Sequence, residues 1–208
     1  MDKIKVRAII LDYGGVISQP QNSENVNNIL QSLGQEYVDF EKIYRSQRAQ
    51  YDSGQISGEE YWTNVLRYYD LEPSNFEIAR LIQEDVRSWT QINESMIQFI
   101  TECRNNIHKL AMISNMTTDS LAFIREHFQW LELFDELILS CEIGINKPDR
   151  QIYEACLRKL NMCPNECLFV DDSIENAKGA MELGMYAIQF KTFSEFRLEL
   201  SGKYCITQ

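Results

Sequence analysis

Residues 7–17 read RAIILDYGGVI, an apolar run that ends on an aspartate and a pair of glycines. An uninterrupted apolar run such as 8–11 is typical of a strand that is buried on both faces of a sheet. Asp12 follows this run directly, and Gly14 and Gly15 permit a sharp turn that exposes backbone N–H groups. A strand ending in Asp and Gly is also an ordinary turn. The rest of the chain must therefore decide whether Asp12 belongs to a functional site.

Four later apolar runs, at 109–113, 137–139, 167–170 and 186–190, alternate with amphipathic helical patterns. Such alternation is typical of βαβ units. We therefore predict an α/β fold with a Rossmann-like parallel sheet of about five strands and helices on both faces.

Polar residues follow the ends of several of these predicted strands. In parallel sheets, ligands bind outside the carboxyl ends of the strands. We therefore expect one crevice to collect residues that are distant in sequence. These residues are Asp12, Ser114, Lys147, Asp171 and Asp172.

The segment 19–90 has no strand alternation but carries several helix signals. Helical patterns occupy 23–33, closed by Gly34, and 36–51, ahead of Gly54. Two capping boxes follow, Ser57 with Glu60 and Ser74 with Glu77. We predict a helical cap domain of about four helices at 19–90, placed over a core domain formed by 1–18 and 91–208. A helix at 93–105 should lead back into the core.

Composition narrows the classes of partner. The net charge of −11 and pI near 4.7 argue against nucleic acid or an anionic membrane as a partner. The start of the chain lacks the pattern of a signal peptide, and no apolar run is long enough to span a membrane, so we expect a cytoplasmic protein. The six cysteines show no CxxC spacing, which favours reduced thiols over a zinc site.

The motifs LDYGGV, MISN, GINKPDRQIY and LFVDDSIENAKGAMELG, taken in this order, resemble those of the haloacid dehalogenase-like hydrolases with a small helical cap. The stretches DYGGVI and YDSGQISGEEYW look most like the glucose-1-phosphatase type of sugar-phosphate phosphatase and the phosphatase domain of epoxide hydrolases. The resemblance implies a Mg²⁺-dependent hydrolase that removes phosphate from a small phosphorylated metabolite such as a sugar phosphate.

The same resemblance implies a role for each motif residue. Asp12 would attack phosphorus and form an aspartyl-phosphate, and Lys147 would neutralise the phosphoryl charge. Phosphoryl oxygens would be bound by Ser114 and by backbone N–H groups at Gly14, Gly15 and Asn115. Mg²⁺ would be held by Asp12, Asp171, Asp172 and the carbonyl of Gly14, because this ion prefers oxygen ligands.

Structural alternatives exist for each of these residues. Asp172 with Glu175 matches a capping box, and Ser114 or Thr117 is able to cap the helix that follows the second strand. Lys147 suits a solvated loop, with Pro148 at the first position of the next helix.

Two arginines of the cap segment, Arg45 and Arg48, lie one turn apart near Tyr44 and Tyr51. They are candidates to touch substrate, although surface ion pairs with the many acidic residues are the favoured interpretation.

Gly14 departs from the commonest pattern of the family, which carries a second aspartate there as general acid and base. Loss of a general acid typically costs about 10²–10⁴ in rate. The rate of hydrolysis should then depend on the leaving group, and a sugar 1-phosphate should lose the least rate.

Two other functions compete with the phosphatase interpretation. A 2-haloacid dehalogenase has no use for Mg²⁺, and the pair Asp171 and Asp172 argues against it, since paired carboxylates without a cation repel each other. A phospho-ligand-binding module without turnover is the other alternative, and Gly14 alone supports it.

Overall fold

The computed structural model describes residues 3–34, 37–72 and 75–207. The strands in these ranges are β1 (Ile4–Val6), β2 (Ala8–Leu11), β3 (Lys109–Ser114), β4 (Glu136–Leu139), β5 (Cys167–Asp171), β6 (Tyr186–Gln189) and β7 (Tyr204–Ile206). Five of them form one sheet in the order β4-β3-β2-β5-β6, with every neighbouring pair parallel. The predicted α/β fold and its five-stranded parallel sheet are confirmed.

Strand β2 lies at the centre of the sheet. Ile10 pairs with Ala111 of β3 on one side and with Phe169 of β5 on the other. This position delivers Asp12 to the middle of the carboxyl edge, between the ends of β3 and β5.

Helices cover both faces of the sheet. Ile9 and Leu11 of β2 pack in one apolar cluster, and Ala8 and Ile10 pack in another. Because successive side chains of a strand point to opposite faces, these two clusters are the two sides of the sheet. The helices outside 19–90 are α6 (Glu94–Arg104), α7 (Thr118–His127), α8 (Ser140–Ile143), α9 (Arg150–Leu160), α10 (Ile174–Glu182) and α11 (Phe193–Lys203).

A second, two-stranded parallel sheet pairs β1 with β7. The sequence interpretation missed it, because three-residue strands are too short to show an alternating pattern. The predicted helix at 93–105 is present as α6, and the Asn93 side chain accepts a hydrogen bond from the Met96 N–H at its start.

Within 19–90 the described α-helices are α1 (Ser23–Leu33), α2 (Tyr37–Ser46), α3 (Arg48–Asp52), α4 (Gly58–Tyr68) and α5 (Asn75–Arg87). The Ser57 side chain caps α4 by accepting from the Glu60 N–H, as expected. Ser74 and Glu36 lie outside the described residues. Apolar side chains of these helices form a third cluster of their own, around Trp62.

The prediction of one helix over 36–51 is wrong. The chain leaves helical geometry at Gln47, with φ −116° and ψ 3°, and α3 begins at Arg48. Two contacts with the rest of the chain accompany this break. Asn146 Nδ2 donates to the Ala49 carbonyl at 2.6 Å, and Ser140 Oγ donates to the Asp52 carbonyl. Tertiary contacts here override a helix-favouring sequence.

In the part of the chain that the structure describes, no helix has both the length and the apolar character needed to cross a bilayer.

Candidate active site

Asp12 is held at the carboxyl edge of the sheet by its own backbone and by the turn that follows. Its N–H donates to the Val170 carbonyl of β5 at 2.9 Å. Its Oδ1 accepts from the Tyr13 N–H at 2.6 Å. The turn continues through Gly15, whose φ of +71° suits glycine. Asp12 is therefore a buried carboxylate with a fixed orientation.

Gly15 also allows a close approach that no other residue permits. A Cβ atom added at this position would lie 2.5 Å from Oδ2 of Asp172. The glycine pair thus brings the turn after β2 against the acidic pair after β5.

Lys147 lies between two carboxylates. Its Nζ lies 2.7 Å from Oδ1 of Asp12 and 2.7 Å from Oδ2 of Asp171. It also donates to the Ile113 carbonyl at 3.0 Å. The Lys147 side chain is only 1% exposed, so the alternative of a solvated loop lysine is wrong.

The helix after Lys147 begins later than the sequence indicates. Pro148 does not open it; α9 begins at Arg150, and the Asp149 side chain caps it by accepting from the Gln151 N–H at 2.8 Å. Lys147 and Pro148 are joined by a cis peptide bond.

Asn115 secures the backbone of Lys147 through its side chain. Its Oδ1 accepts from the Lys147 N–H at 2.7 Å, and its Nδ2 donates to the Lys147 carbonyl at 3.0 Å. Ser114, the last residue of β3, is buried beside it. The cap of α7 is Thr117, which accepts from the Ser120 N–H at 3.1 Å.

Asp171 is fully buried, and hydrogen bonds hold both of its carboxylate oxygens. Oδ1 accepts from the Ser173 N–H at 2.8 Å, and Asn176 Nδ2 lies 3.0 Å from Oδ1 and 3.2 Å from Oδ2. The sequence interpretation missed Asn176. Its position in the first turn of α10, five residues after Asp171, was the available signal.

The alternative that Asp172 caps the helix is wrong. The capping residue of α10 is Ser173, whose side chain accepts from the Asn176 N–H at 3.3 Å. Asp172 instead joins Asp12 and Asp171 in a cluster in which one carboxylate oxygen of each residue lies within 4.8 Å of the other two.

This cluster fits a divalent cation. When ionised, its three carboxylates carry more negative charge than the single ammonium group of Lys147 balances, and two of them, Asp12 and Asp171, are buried. Hard oxygen donors at this spacing suit Mg²⁺, and a cation there would relieve the repulsion among the carboxylates. Asp12, Asp171 and Asp172 are the residues able to hold it.

The pKa values of these groups reflect their burial and their neighbours. Burial raises the pKa of the Asp12 carboxyl to about 8 against the opposing attraction of Lys147. Burial and the neighbouring Asp171 raise the pKa of Asp172. Burial works to lower the pKa of Lys147, but the charges of Asp12 and Asp171 outweigh it and hold this pKa above its usual value. Lys147 therefore stays charged.

A cavity of about 580 Å³ opens over this cluster. Its lining includes Asp12, Gly14 and Asp172 together with residues of α1, α2 and α3. The apolar part of the lining includes Tyr13, Val26, Tyr44, Trp89 and Met116, and the polar part includes Ser23, Asn27, Arg45, Arg48, Asp52 and Asn115.

Arg48 lines this cavity and forms ion pairs in the interior. Its Nε lies 2.8 Å from Oδ1 of Asp52, and its Nη1 lies 2.7 Å from Oδ2 of Asp85. The expected ion pairs are present, but the expectation that they lie at the surface is wrong, since Asp85 is fully buried. Arg45 lines the cavity and is exposed.

Residues 6–184 match the family described as haloacid dehalogenase-like hydrolase. The chain belongs to this family. It is thus an enzyme of the haloacid dehalogenase-like hydrolases, as the four motifs around Asp12, Ser114, Lys147 and Asp171 indicate.

Two phosphatases of this family match along most of their length. The sesquiterpene phosphatase astK of Aspergillus oryzae is 26% identical over 88% of this chain and 88% of its own. The D-ribitol-5-phosphate phosphatase of Bacteroides thetaiotaomicron is 22% identical over 94% of this chain and 97% of its own. The expected similarity to sugar-phosphate phosphatases is confirmed.

Other relatives are longer proteins. The drimenol cyclase drtB of Aspergillus calidoustus is 24% identical over 95% of this chain, which spans 36% of that protein. The bifunctional epoxide hydrolase 2 of Mus musculus is 32% identical over 56% of this chain and 22% of its own length. The expected similarity to epoxide hydrolases is therefore confirmed.

Solved structures share the fold. A haloacid dehalogenase family enzyme of Bacteroides thetaiotaomicron, bt-2542, crystallised as a magnesium complex, superposes with a TM-score of 0.77. It is 19% identical, and the match covers 92% of this chain and 98% of the other.

Proposed function

We propose that this hydrolase is a Mg²⁺-dependent phosphomonoester phosphatase that acts on a small phosphorylated metabolite, with sugar phosphates as its substrate class. One observation carries the proposal. Three carboxylates cluster beside a cavity of about 580 Å³, and a buried lysine pairs with two of them. Phosphoryl transfer depends mostly on positioning and on neutralising charge, and this arrangement supplies both.

Asp12, Asp171 and Asp172 would hold the metal ion, together with the Gly14 carbonyl. When bound, Mg²⁺ neutralises phosphoryl charge and so reduces the repulsion between an anionic nucleophile and an anionic substrate. Asp171 is already committed to Lys147 and Asn176, which favours a role for it through a bridging water.

Asp12 would attack the phosphorus atom and form an aspartyl-phosphate, which water then hydrolyses. The hydrogen bond and the ion pair of Asp12 both reach Oδ1, which leaves Oδ2 as the attacking atom. The positive charge of Lys147 opposes the rise in the pKa of Asp12. Lys147 and the metal ion together would keep Asp12 ionised, and Lys147 would face the phosphoryl group. Ser114 and the N–H groups of Gly14, Gly15 and Asn115 would bind the phosphoryl oxygens.

The helical segment 19–90 would act as the cap domain over a core of 1–18 and 91–208. Its apolar cluster is separate from the two clusters of the sheet, which supports this division. Ser23 and Asn27 of α1 present polar side chains to the cavity, and these suit the hydroxyl groups of a sugar. The match to a D-ribitol-5-phosphate phosphatase supports the same substrate class.

A phosphate-release assay tests the proposal. Purified protein with Mg²⁺ is given sugar phosphates, p-nitrophenyl phosphate and a prenyl monophosphate, the last because of the similarity to a sesquiterpene phosphatase. We expect turnover of sugar phosphates that ceases in excess EDTA. Asp12→Asn should lower kcat/KM by at least about 10⁴-fold, since it removes the nucleophile.

Asp149→Asn is the matched control, because asparagine caps a helix as well as aspartate does. It should leave turnover unchanged. Activity that persists in EDTA with halide release from 2-chloropropionate would identify a dehalogenase. Tight phosphate binding without turnover would identify a binding module. A preference for the prenyl monophosphate would overturn the sugar-phosphate class alone.

A further inference from the structure

The position two residues after Asp12 carries no proton donor. It is Gly14, and a Cβ atom added there would lie 3.4 Å from Cζ3 of the Trp89 ring. Yet release of an alkoxide from phosphorus is helped by a positioned proton donor, typically by about 10²–10⁴-fold. A proton donor would therefore have to come from another element that lines the cavity.

Most polar side chains of the described cavity lining are poor acids. The Tyr13 and Tyr44 hydroxyls are committed to the Trp89 carbonyl and to Asp85, and burial raises both pKa values. Guanidinium groups do not give up a proton, and the described lining contains no histidine. Carboxyl groups in the described lining belong to Asp12, Asp52 and Asp172. Asp52 is the member of this set that lies outside the metal-binding cluster.

Asp52 is held in place by contacts with the core of the molecule. It ends α3, and its backbone carbonyl accepts from Ser140 Oγ. One turn earlier, the Ala49 carbonyl accepts from Nδ2 of Asn146, the residue before Lys147. The end of α3 is thus fixed beside the loop that carries Lys147, the residue that pairs with Asp12.

The charges around Asp52 favour a proton on its carboxyl group. Arg48 faces two carboxylates, Asp52 at 2.8 Å and Asp85 at 2.7 Å. With both ionised, this buried group has two negative charges against one positive charge, and a proton on Asp52 balances it. Burial raises the pKa of Asp52 although Arg48 opposes the change, with a smaller opposing effect from Lys147.

We propose that Asp52, on the helical segment, is the general acid and base of this enzyme and replaces the side chain that Gly14 lacks. The inference rests on the proposed phosphatase function. As Asp12 attacks phosphorus and the bond to the leaving oxygen breaks, that oxygen takes the proton of the Asp52 carboxyl. The Asp52 carboxylate then takes a proton from water as the water oxygen attacks the aspartyl-phosphate. Asp12 is released with inorganic phosphate, and Asp52 is protonated again.

The variant Asp52→Asn tests this role, because an amide keeps an oxygen for Arg48 but has no acidic proton. The measurement is kcat/KM for glycerol phosphate, whose alkoxide needs a proton, and for p-nitrophenyl phosphate, whose leaving group does not. We expect a fall of about 10²–10⁴-fold on glycerol phosphate and a change of only a few-fold on p-nitrophenyl phosphate. Equal falls on both, or no change on either, would overturn the assignment.

Asp119→Asn is the matched control. Asp119 accepts from the Tyr51 hydroxyl in the same region but is not part of the described cavity lining. The ratio of the two kcat/KM values should not change in this variant. A selective loss on glycerol phosphate in Asp119→Asn as well would mean that displacement of α3 explains the effect, and would overturn the proposal.

A measurement on the unaltered enzyme does not depend on whether a variant folds. Across phosphate esters with leaving groups of increasing pKa, an enzyme with a working acid loses little kcat/KM. A steep loss would overturn the role of Asp52 while leaving the phosphatase function intact. Absence of phosphate release from every ester would remove both proposals together.

Discussion

Two buried clusters in this molecule share one arrangement, a cation between two carboxylates. At the strand ends, Lys147 lies 2.7 Å from both Asp12 and Asp171. In the helical segment, Arg48 lies 2.8 Å from Asp52 and 2.7 Å from Asp85. Among the described residues, a third carboxylate, Asp172, clusters with the carboxylates of the first arrangement.

Their surroundings also differ. The rings of Tyr44, Tyr51 and Tyr61 lie 5.0–6.0 Å from the Arg48 guanidinium carbon, so aromatic faces contribute to holding that charge. Lys147 lies over one ring, Phe169, with its Nζ 5.6 Å from the ring centroid, and is also held by the Asn115 side chain and the Ile113 carbonyl. Because three carboxylates meet at the strand ends, their excess negative charge is suited to a metal ion. The excess negative charge of Asp52 and Asp85 around Arg48 is suited to a proton.

Lys147→Met should produce the largest loss of stability that distinguishes the strand-end cluster from the Arg48 cluster. Removing one partner of a buried ion pair costs about 3–5 kcal/mol, because the remaining charge is left uncompensated. Mg²⁺ should restore part of this loss, since it brings positive charge to the same carboxylates. The measurement is the free energy of unfolding in urea, with and without Mg²⁺.

Arg48→Met is the control for that experiment. It should also cost about 3–5 kcal/mol, since Asp85 is fully buried. Mg²⁺ should stabilise this variant no more than it stabilises the unaltered protein. If Mg²⁺ restored both variants equally, the distinction between a metal-binding cluster and a proton-binding cluster would be wrong.

The strand-end cluster could be predicted from sequence for a physical reason. Parallel strands deliver the residues after their carboxyl ends to one edge, so Asp12, Ser114 and Asp171 converge whatever the details of packing. Lys147 was placed by the same rule. The sequence could not show that Asp171, and not Asp172, pairs with Lys147, because this depends on the positions of the side chains.

The Arg48 cluster could not be predicted in the same way. Helical periodicity indicates which face of a helix is buried, but not which residue of another helix it meets. Asp85 lies 37 residues after Arg48, and the break at Gln47 that precedes Arg48 has no sequence signal of its own. The structural alternative of Asp172 as the cap of α10 arose because Asp172 and Ser173 are both acceptable caps, one position apart.

Gly15→Ala should have an intermediate effect and act on the strand-end cluster alone. A left-handed conformation costs a non-glycine residue about 1–2 kcal/mol, and the new Cβ would displace the Asp172 carboxylate. We therefore expect a loss of stability together with weaker Mg²⁺ stabilisation, measured as the Mg²⁺ dependence of Tm.

Gly144→Ala isolates the backbone contribution. Its φ of +73° matches that of Gly15, but a Cβ there would meet no atom within 4 Å. It should lose about the same 1–2 kcal/mol and keep the Mg²⁺ dependence of the unaltered protein. An equal loss of Mg²⁺ dependence in both variants would argue against Asp172 as a metal ligand.

Tyr51→Phe should give the smallest change in stability. It tests how the helical segment with the Arg48 cluster is held against the core with the strand-end cluster. The Tyr51 hydroxyl donates to Asp119 of α7 at 2.7 Å, so it links the helical segment to the core. The Tyr61 hydroxyl donates to the Tyr44 carbonyl at 2.7 Å, within the helical segment. Loss of either hydrogen bond should cost about 1 kcal/mol in the free energy of unfolding.

The two variants should differ in catalysis. Tyr51 precedes Asp52, so loss of its bond to Asp119 loosens the end of α3 against the core, whereas loss of the Tyr61 bond does not. We expect Tyr51→Phe to lower kcat on glycerol phosphate more than Tyr61→Phe does, at equal loss of stability. Equal kinetic effects would mean that the contacts of Ser140 and Asn146 fix α3 and the position of Asp52 without help from the bond to Asp119.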